Sequence, residues 1–188
     1  IFTSCGTESD STAIHGTLAA VPQRRKVITT RVEHPAVLTV CRDLESRGYT
    51  VIELNVDKLG RLDLDELDSC LDDDTALVTI MYANNETGVI FPIEQIAEMV
   101  TSRGITFHTD AVQIVGKMPL KLSQSPISLL SLSGHKLHAP KGVGVLYVKK
   151  GTRIAPWLLG GHQEGGRRAG TENVPGIIGL GRACELAF

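Results

Sequence analysis

The stretch Ala76-Leu77-Val78-Thr79-Ile80-Met81-Tyr82-Ala83 is apolar at nearly every position. A strand with one face in water alternates polar and apolar residues. This one does not, so it reads as a strand covered on both faces. Around it, short β-rich runs alternate with helical patterns. Candidate strands are Lys26–Thr30, Thr50–Val56, Ala76–Ala83, Thr106–Thr109, Leu129–Leu132 and Gly144–Val148. Candidate helices are Glu8–Ala20, Pro35–Arg47, Asp63–Leu71, Ile93–Arg103 and Val174–Leu186. Pro35 and Pro92 sit where prolines start helices, and Gly48 and Gly104 where glycines end them. Strands at this spacing imply right-handed crossovers and a mainly parallel sheet with helices on both faces, a three-layer α/β domain. Gly142–Val148 follows its predecessor after a loop too short for a helical crossover, which predicts one antiparallel strand.

The bulk composition narrows the function classes. The chain has 188 residues, enough for one sizeable domain, read as 1–188. A formal charge of −2 and the lack of any basic block give no sign of a nucleic-acid partner. No apolar run approaches the roughly 20 residues that cross a bilayer. Cys5, Cys41, Cys70 and Cys184 are scattered, without a C-x-x-C pair. That pattern predicts a reduced, cytoplasmic protein with neither a disulfide framework nor a structural zinc site. The opening Ile1-Phe2-Thr3-Ser4 reads as the tail of a strand, and Phe188 falls inside an apolar helical pattern. The expectation is a fragment of a longer protein.

Ligands of open α/β sheets bind at the carboxyl ends of the strands. Polar residues collect at just those places: Cys5-Gly6-Thr7, Asn84-Asn85-Glu86, Asp110, and Ser133-Gly134-His135-Lys136. Lys136 follows the apolar stretch Ile127–Leu132. A lysine there, among small and hydrogen-bonding residues, is poorly placed for solvation and well placed to form a Schiff base with an aldehyde cofactor. Pyridoxal phosphate is the usual such aldehyde. It needs a lysine, a partner for its pyridine nitrogen and a phosphate cradle. In most sequences such a lysine is simply solvated.

The other candidates each carry two readings. Gly6-Thr7-Glu8 opens a helix whose free amides attract phosphate; alternatively Thr7 is an N-cap, with Asp10 closing a capping box. Asp110 can pair with a pyridine nitrogen or cap a helix, and Gln113 lies one turn on. His34 can stack on a flat ring and move protons, or be an ordinary histidine. Asn85 can bind a carboxylate or serve a turn. The glycine-rich run Gly160–Thr171 can offer amides, Arg168 and Thr171 to an anion, or form a flexible loop. Gly176, Gly179 and Gly181 follow no strand, so they read as close helix packing.

Together these residues resemble a known family. Thr3-Ser4-Cys5-Gly6-Thr7-Glu8-Ser9-Asp10, Glu33-His34-Pro35-Ala36-Val37, Asn84-Asn85-Glu86-Thr87-Gly88, His108-Thr109-Asp110-Ala111-Val112-Gln113, Ser133-Gly134-His135-Lys136 and Arg168-Ala169-Gly170-Thr171 look like the signatures of the PLP-dependent cysteine desulfurases. Ser133–Gly142 and Gly161–Glu164 bring the chain nearest the nitrogen-fixation, NifS-like branch. The resemblance covers essentially the whole chain. It implies a fold type I large domain, a transferase of the class V aminotransferase kind, and a homodimer. It implies that Lys136 carries the cofactor and that His34 stacks on its ring and transfers protons. Asp110 is implied to meet the pyridine nitrogen, and Gln113 the ring hydroxyl. Gly6, Thr7, Ser133 and His135 are implied to hold the phosphate, Thr171 to reach the partner subunit's phosphate, and Asn85 to position cofactor and substrate. The implied reaction takes L-cysteine to L-alanine and passes sulfur, through an enzyme persulfide, to an iron–sulfur scaffold or other acceptor protein. None of the four cysteines stands in the family's sulfur-accepting motif, so the 188 residues alone are expected not to turn over cysteine. A selenocysteine lyase or other PLP β-lyase, and a non-catalytic PLP-fold scaffold, are the competing readings. No metal is expected.

Overall fold

A computed structural model describes residues 1–187; Phe188 lies outside the described residues. The element order is β1 (Phe2–Thr3), α1 (Gly6–Ala20), β2 (Lys26–Thr30), α2 (Pro35–Ser46), β3 (Thr50–Leu54), α3 (Leu64–Cys70), β4 (Thr75–Thr79), α4 (Ile93–Thr101), β5 (Thr106–Asp110), β6 (Leu129–Ser133), a 3₁₀ turn (Gly134–Leu137), β7 (Gly144–Val148), α5 (Gln163–Gly166) and α6 (Val174–Leu186). The strands form one sheet in the order β1-β7-β6-β5-β4-β2-β3. β7 runs antiparallel to both neighbours, and every other pairing is parallel. The expected mainly parallel sheet with one antiparallel strand is thus present.

Period-two alternation splits the core into two layers. Val27 and Leu77 point to one face, packing with Ile14 and Leu18 of α1 and with Val37, Cys41 and Leu44 of α2. Their chain neighbours Ile28 and Val78 point to the other face, against Leu67 of α3 and Ile93, Ile96 and Val100 of α4. This is why β4 is buried throughout. On α4 the buried residues Ile93, Ile96, Ala97 and Val100 recur at helical spacing, the stripe of a helix laid on a sheet. Side chains start the helices: His34 Nδ1 accepts from Ala36 N at the head of α2, and Asp63 accepts from Asp65 N and Glu66 N at the head of α3. Gly179 packs on Pro140, where a Cβ would lie 2.7 Å from the ring, as close helix packing requires.

Two strands are shorter than expected, for local reasons. β4 stops at Thr79 because Met81 N turns from the ladder to the Glu33 carboxyl, while Ala83 bridges Ile90. β3 stops at Leu54, and Val56 bridges Leu62 across a turn closed by Asp57. The capping box expected at Thr7 and Asp10 is not formed. The N-cap of α1 is Cys5, without a side-chain bond, and Glu8 instead reaches back to Ser4 N at 2.8 Å.

Gly144 sets how closely β7 approaches the start of α1. A Cβ there would lie 2.7 Å from the Cys5 carbonyl carbon and 2.8 Å from its oxygen, both backbone atoms. Gly144→Ala is therefore expected to destabilise the protein by about 1–3 kcal/mol, read as a fall in the thermal midpoint.

Candidate active site

A cavity of about 210 Å³ opens at the carboxyl ends of the parallel strands. β2 leads into His34, β4 into Met81, Ala83 and Asn85, β5 into Asp110, and β6 into Ser133, His135 and Lys136; Cys5, Gly6, Thr7 and Asp10 come from the start of α1. Nine of the ten site residues expected from the sequence (Gly6, Thr7, His34, Asn85, Asp110, Gln113, Ser133, His135 and Lys136) line this one space. Thr171 does not. It lines a neighbouring cavity with Phe2, Gly142 and Arg168.

Backbone geometry sets the wall by α1. Gly6 is buried, and a Cβ on it would lie 3.0 Å from Val112 Cγ2 and 3.3 Å from Ser133 Cβ. Only glycine lets the first turn of α1 come this close to β6. The first amides of a helix have no intrahelical partner, so those of α1 open beside the Ser133 hydroxyl, which bonds His135 Nδ1 at 2.9 Å. The 3₁₀ turn that carries Lys136 is closed by Ala139 N donating to Gly134 O at 3.1 Å, with His138 left-handed at φ 62°.

Asp110 lines the same cavity as a buried carboxyl. Asp110 Oδ1 accepts from Val112 N at 2.9 Å, an Asx turn rather than a helix cap, since turns and not a helix follow β5. Burial raises the Asp110 carboxyl, with the Val112 N–H and the nearby His34 working against that rise. For His34 Nδ1 to accept from Ala36 N, the neutral ring must carry its proton on Nε2, which fixes the ring's orientation. Behind them, His108 is fully buried between Thr79 Oγ1 at 2.8 Å and Ser131 Oγ at 2.9 Å, and burial takes it down to about 3. It is a neutral strut.

Three sequence expectations need correction. Lys136 is exposed rather than withdrawn from solvent, because the turn after β6 lifts it to the cavity's open side. Arg168 is not offered to an anion; its Nε and Nη2 bond Glu8 Oε1 and Oε2 at 2.7 and 3.1 Å. Burial pushes Glu8 up, but the bonds from Arg168 and Ser4 more than offset it and hold the carboxyl below its usual range. The glycine-rich run is accordingly pinned rather than loose: Glu164 Oε1 accepts from Phe2 N and Gln163 Oε1 from Gly170 N, each at 3.1 Å. Asn85 faces the cavity, yet it is Asn84 that builds the loop, accepting from Glu86 N and Thr87 N and donating to Val32 O.

Glu33 went unnoticed in the sequence as more than a neighbour of His34. It is buried and accepts from Thr30 Oγ1 and Met81 N, tying the ends of β2 and β4 together beneath the cavity. Burial pushes its carboxyl from 4.5 to about 8, with the Met81 and Thr30 bonds only partly opposing. Between those values the unfolded chain has released a proton that the folded chain keeps. The Glu33 contribution therefore falls as pH rises through that window and costs nothing below it. Relative to Glu33→Gln, the wild type is expected to lose about 4 kcal/mol between roughly pH 5 and pH 8.5 in denaturant titrations.

The chain belongs to the aminotransferase class-V family, whose model matches residues 1–187. It is 63% identical over 99% of its length to a cysteine desulfurase of Nostoc sp., and 65% identical over 100% to the cysteine desulfurase NifS of Azotobacter vinelandii. It spans 46% and 47% of those two proteins, about half the length of the curated relatives it matches. Among solved structures, a NifS-like protein superposes with a TM-score of 0.96 at 44% identity, over 100% of this chain and 52% of that one. The family implies pyridoxal phosphate, and the cavity's donor set fits it. Unpartnered helix amides and hydroxyls lie at one wall, a buried carboxyl at another, and a lysine and an imidazole between them. Among the described residues no helix is long and apolar enough to cross a membrane, and no cluster suits a metal ion.

Proposed function

We propose that the chain is the cofactor-binding part of a PLP-dependent cysteine desulfurase. One observation carries this reading: a single cavity gathers Lys136, Asp110, His34 and the Gly6-Thr7 amides from four separate stretches of chain. The names of the relatives support cysteine as substrate. Bound here, pyridoxal phosphate supplies an aldehyde that exchanges amines and a ring that stores an electron pair.

The chain's own residues do the rest. Gly6 and Thr7 amides, with Ser133 and His135, hold the phosphate against the positive end of α1. Asp110 would pair with the cofactor's ring nitrogen, and Gln113 and Asn85 would orient the cofactor and the substrate. His34, its proton on Nε2, would cover the ring. Lys136 Nζ would be the amine that holds the aldehyde, and the same nitrogen would serve as the base for the substrate Cα proton. Cys41 is no sulfur acceptor: burial above all, with nearby carboxylates, pushes its thiol up to about 12. We place the accepting cysteine in the length of the relatives that this chain does not span. Thr171, away from the cavity, suits the homodimer reading, in which it serves the partner subunit. The four free cysteines suit a cytoplasmic protein that hands sulfur to an iron–sulfur scaffold or another acceptor.

The test is borohydride reduction of the intact protein followed by peptide mass analysis. A pyridoxyl mass on the peptide containing Lys136 is expected. An unmodified peptide overturns the reading.

A further inference from the structure

Asp10 is a buried carboxyl that the chemistry above leaves without a role. It sits near the start of α1 at 1% exposure and lines the same cavity as Asp110. Its Oδ1 has no hydrogen-bond partner in the described residues. His108 Nε2 lies 3.7 Å from that oxygen, but the ring is neutral, bonded at both nitrogens to hydroxyls, and offers no counter-charge. The groups that act on a charge at Asp10 are Asp110, Ser131, Glu33 and Cys5, and only the Ser131 hydroxyl favours the anion.

Asp110 differs from Asp10 on each count. It accepts the Val112 N–H, a bond that favours its charged form. Two carboxyls on one cavity floor cannot both ionise cheaply, and the better-solvated one takes the charge. We infer that Asp10 is a positioning residue held as the neutral acid, so that the pair's single negative charge rests on Asp110, where the cofactor's ring nitrogen is to meet it. Burial first, and Asp110 second, push the Asp10 carboxyl well above its ordinary range, as this arrangement requires. The inference rests on the PLP reading only for what Asp110 meets; the protonation of Asp10 stands apart from it.

The experiment is carbon-13 NMR of the intact protein labelled at aspartate side-chain carboxyls, without added cofactor. One resonance is expected to keep the neutral-acid position well above the pH range in which ordinary carboxyls ionise, and to vanish in Asp10→Asn. In the cofactor-loaded protein, Asp10→Asn is expected to move the pH midpoint of the cofactor's absorbance by less than roughly 0.3 unit, since a neutral amide replaces a neutral acid. A shift of about one unit, the mark of a lost negative charge, overturns the inference. So does an Asp10 resonance that titrates in the ordinary carboxylate range. Should Asp10→Asn not fold, Asp110→Asn gives the test: with the Asp110 charge gone, the neutral-acid signal of Asp10 is expected to titrate at lower pH than in the wild type, and a signal that does not move overturns the inference. The NMR arm needs no cofactor, so failure of borohydride labelling and failure here are separate results.

Discussion

Lys136→Ala in the intact protein is expected to cut cysteine-dependent alanine formation on the order of 10⁴-fold and to remove the borohydride-stable pyridoxyl label. In the proposed reading two roles fall on one nitrogen, covalent attachment and proton removal, so both should disappear together. The rest of the cavity stays. Gly6, Thr7, Ser133 and His135 do not depend on Lys136 for their positions, and the exposed lysine contributes little packing. Cofactor absorbance should therefore persist after gentle purification but wash out faster than in the wild type. A small primary amine added to the variant should restore part of the activity, since it supplies the missing nitrogen without the tether. Turnover within about tenfold of wild type would remove Lys136 from the mechanism altogether.

The second large effect falls on Asp110. Asp110→Asn keeps an oxygen that can accept from Val112 N, so the turn after β5 should survive. What it loses is the formal charge that the proposed reading sets against the ring nitrogen. The expected cost is on the order of 10²–10³-fold in turnover, with cofactor affinity lowered by much less, because the residues proposed to hold the phosphate are left in place. Spectral titration of the loaded variant separates these terms. The sign is fixed: removing a carboxylate beside a protonated nitrogen makes that proton easier to lose, so the ring nitrogen's titration moves to lower pH. A shift to higher pH, or none, would show that Asp110 is not the partner of that nitrogen.

The three-layer architecture was legible because it is written in local periods. The run Ala76–Ala83 is apolar at nearly every position, Ile93, Ile96 and Val100 recur at helical spacing, and Pro35 and Gly48 bracket α2. Lys26–Thr30, Gly144–Val148 and Val174–Leu186 match their observed bounds. The cavity was legible as a set, since residues at the carboxyl ends of parallel strands are bound to meet. What escaped was set by distant partners. Arg168 looked available because nothing near it in sequence shows that Glu8, 160 residues away, takes its guanidinium. Lys136 looked buried because β6 is buried; the turn that lifts it depends on Val143 packing against Gly134. Asp10 passed as part of a capping box because an acid at the third residue after a threonine fits that pattern. The actual cap lies two residues earlier, which turns Asp10 inward.

The bonds that fasten the first eight residues have a further consequence for synthesis. Phe2 and Thr3 pair with Val145 and Gly144, and Glu8 is clasped by Arg168. As the chain leaves the ribosome, this segment is made before its partners and must wait for them, about 140 to 160 residues later. Until then the cavity wall at the start of α1 is unlatched, and the nascent protein carries an open, half-formed floor that a chaperone has time to shield.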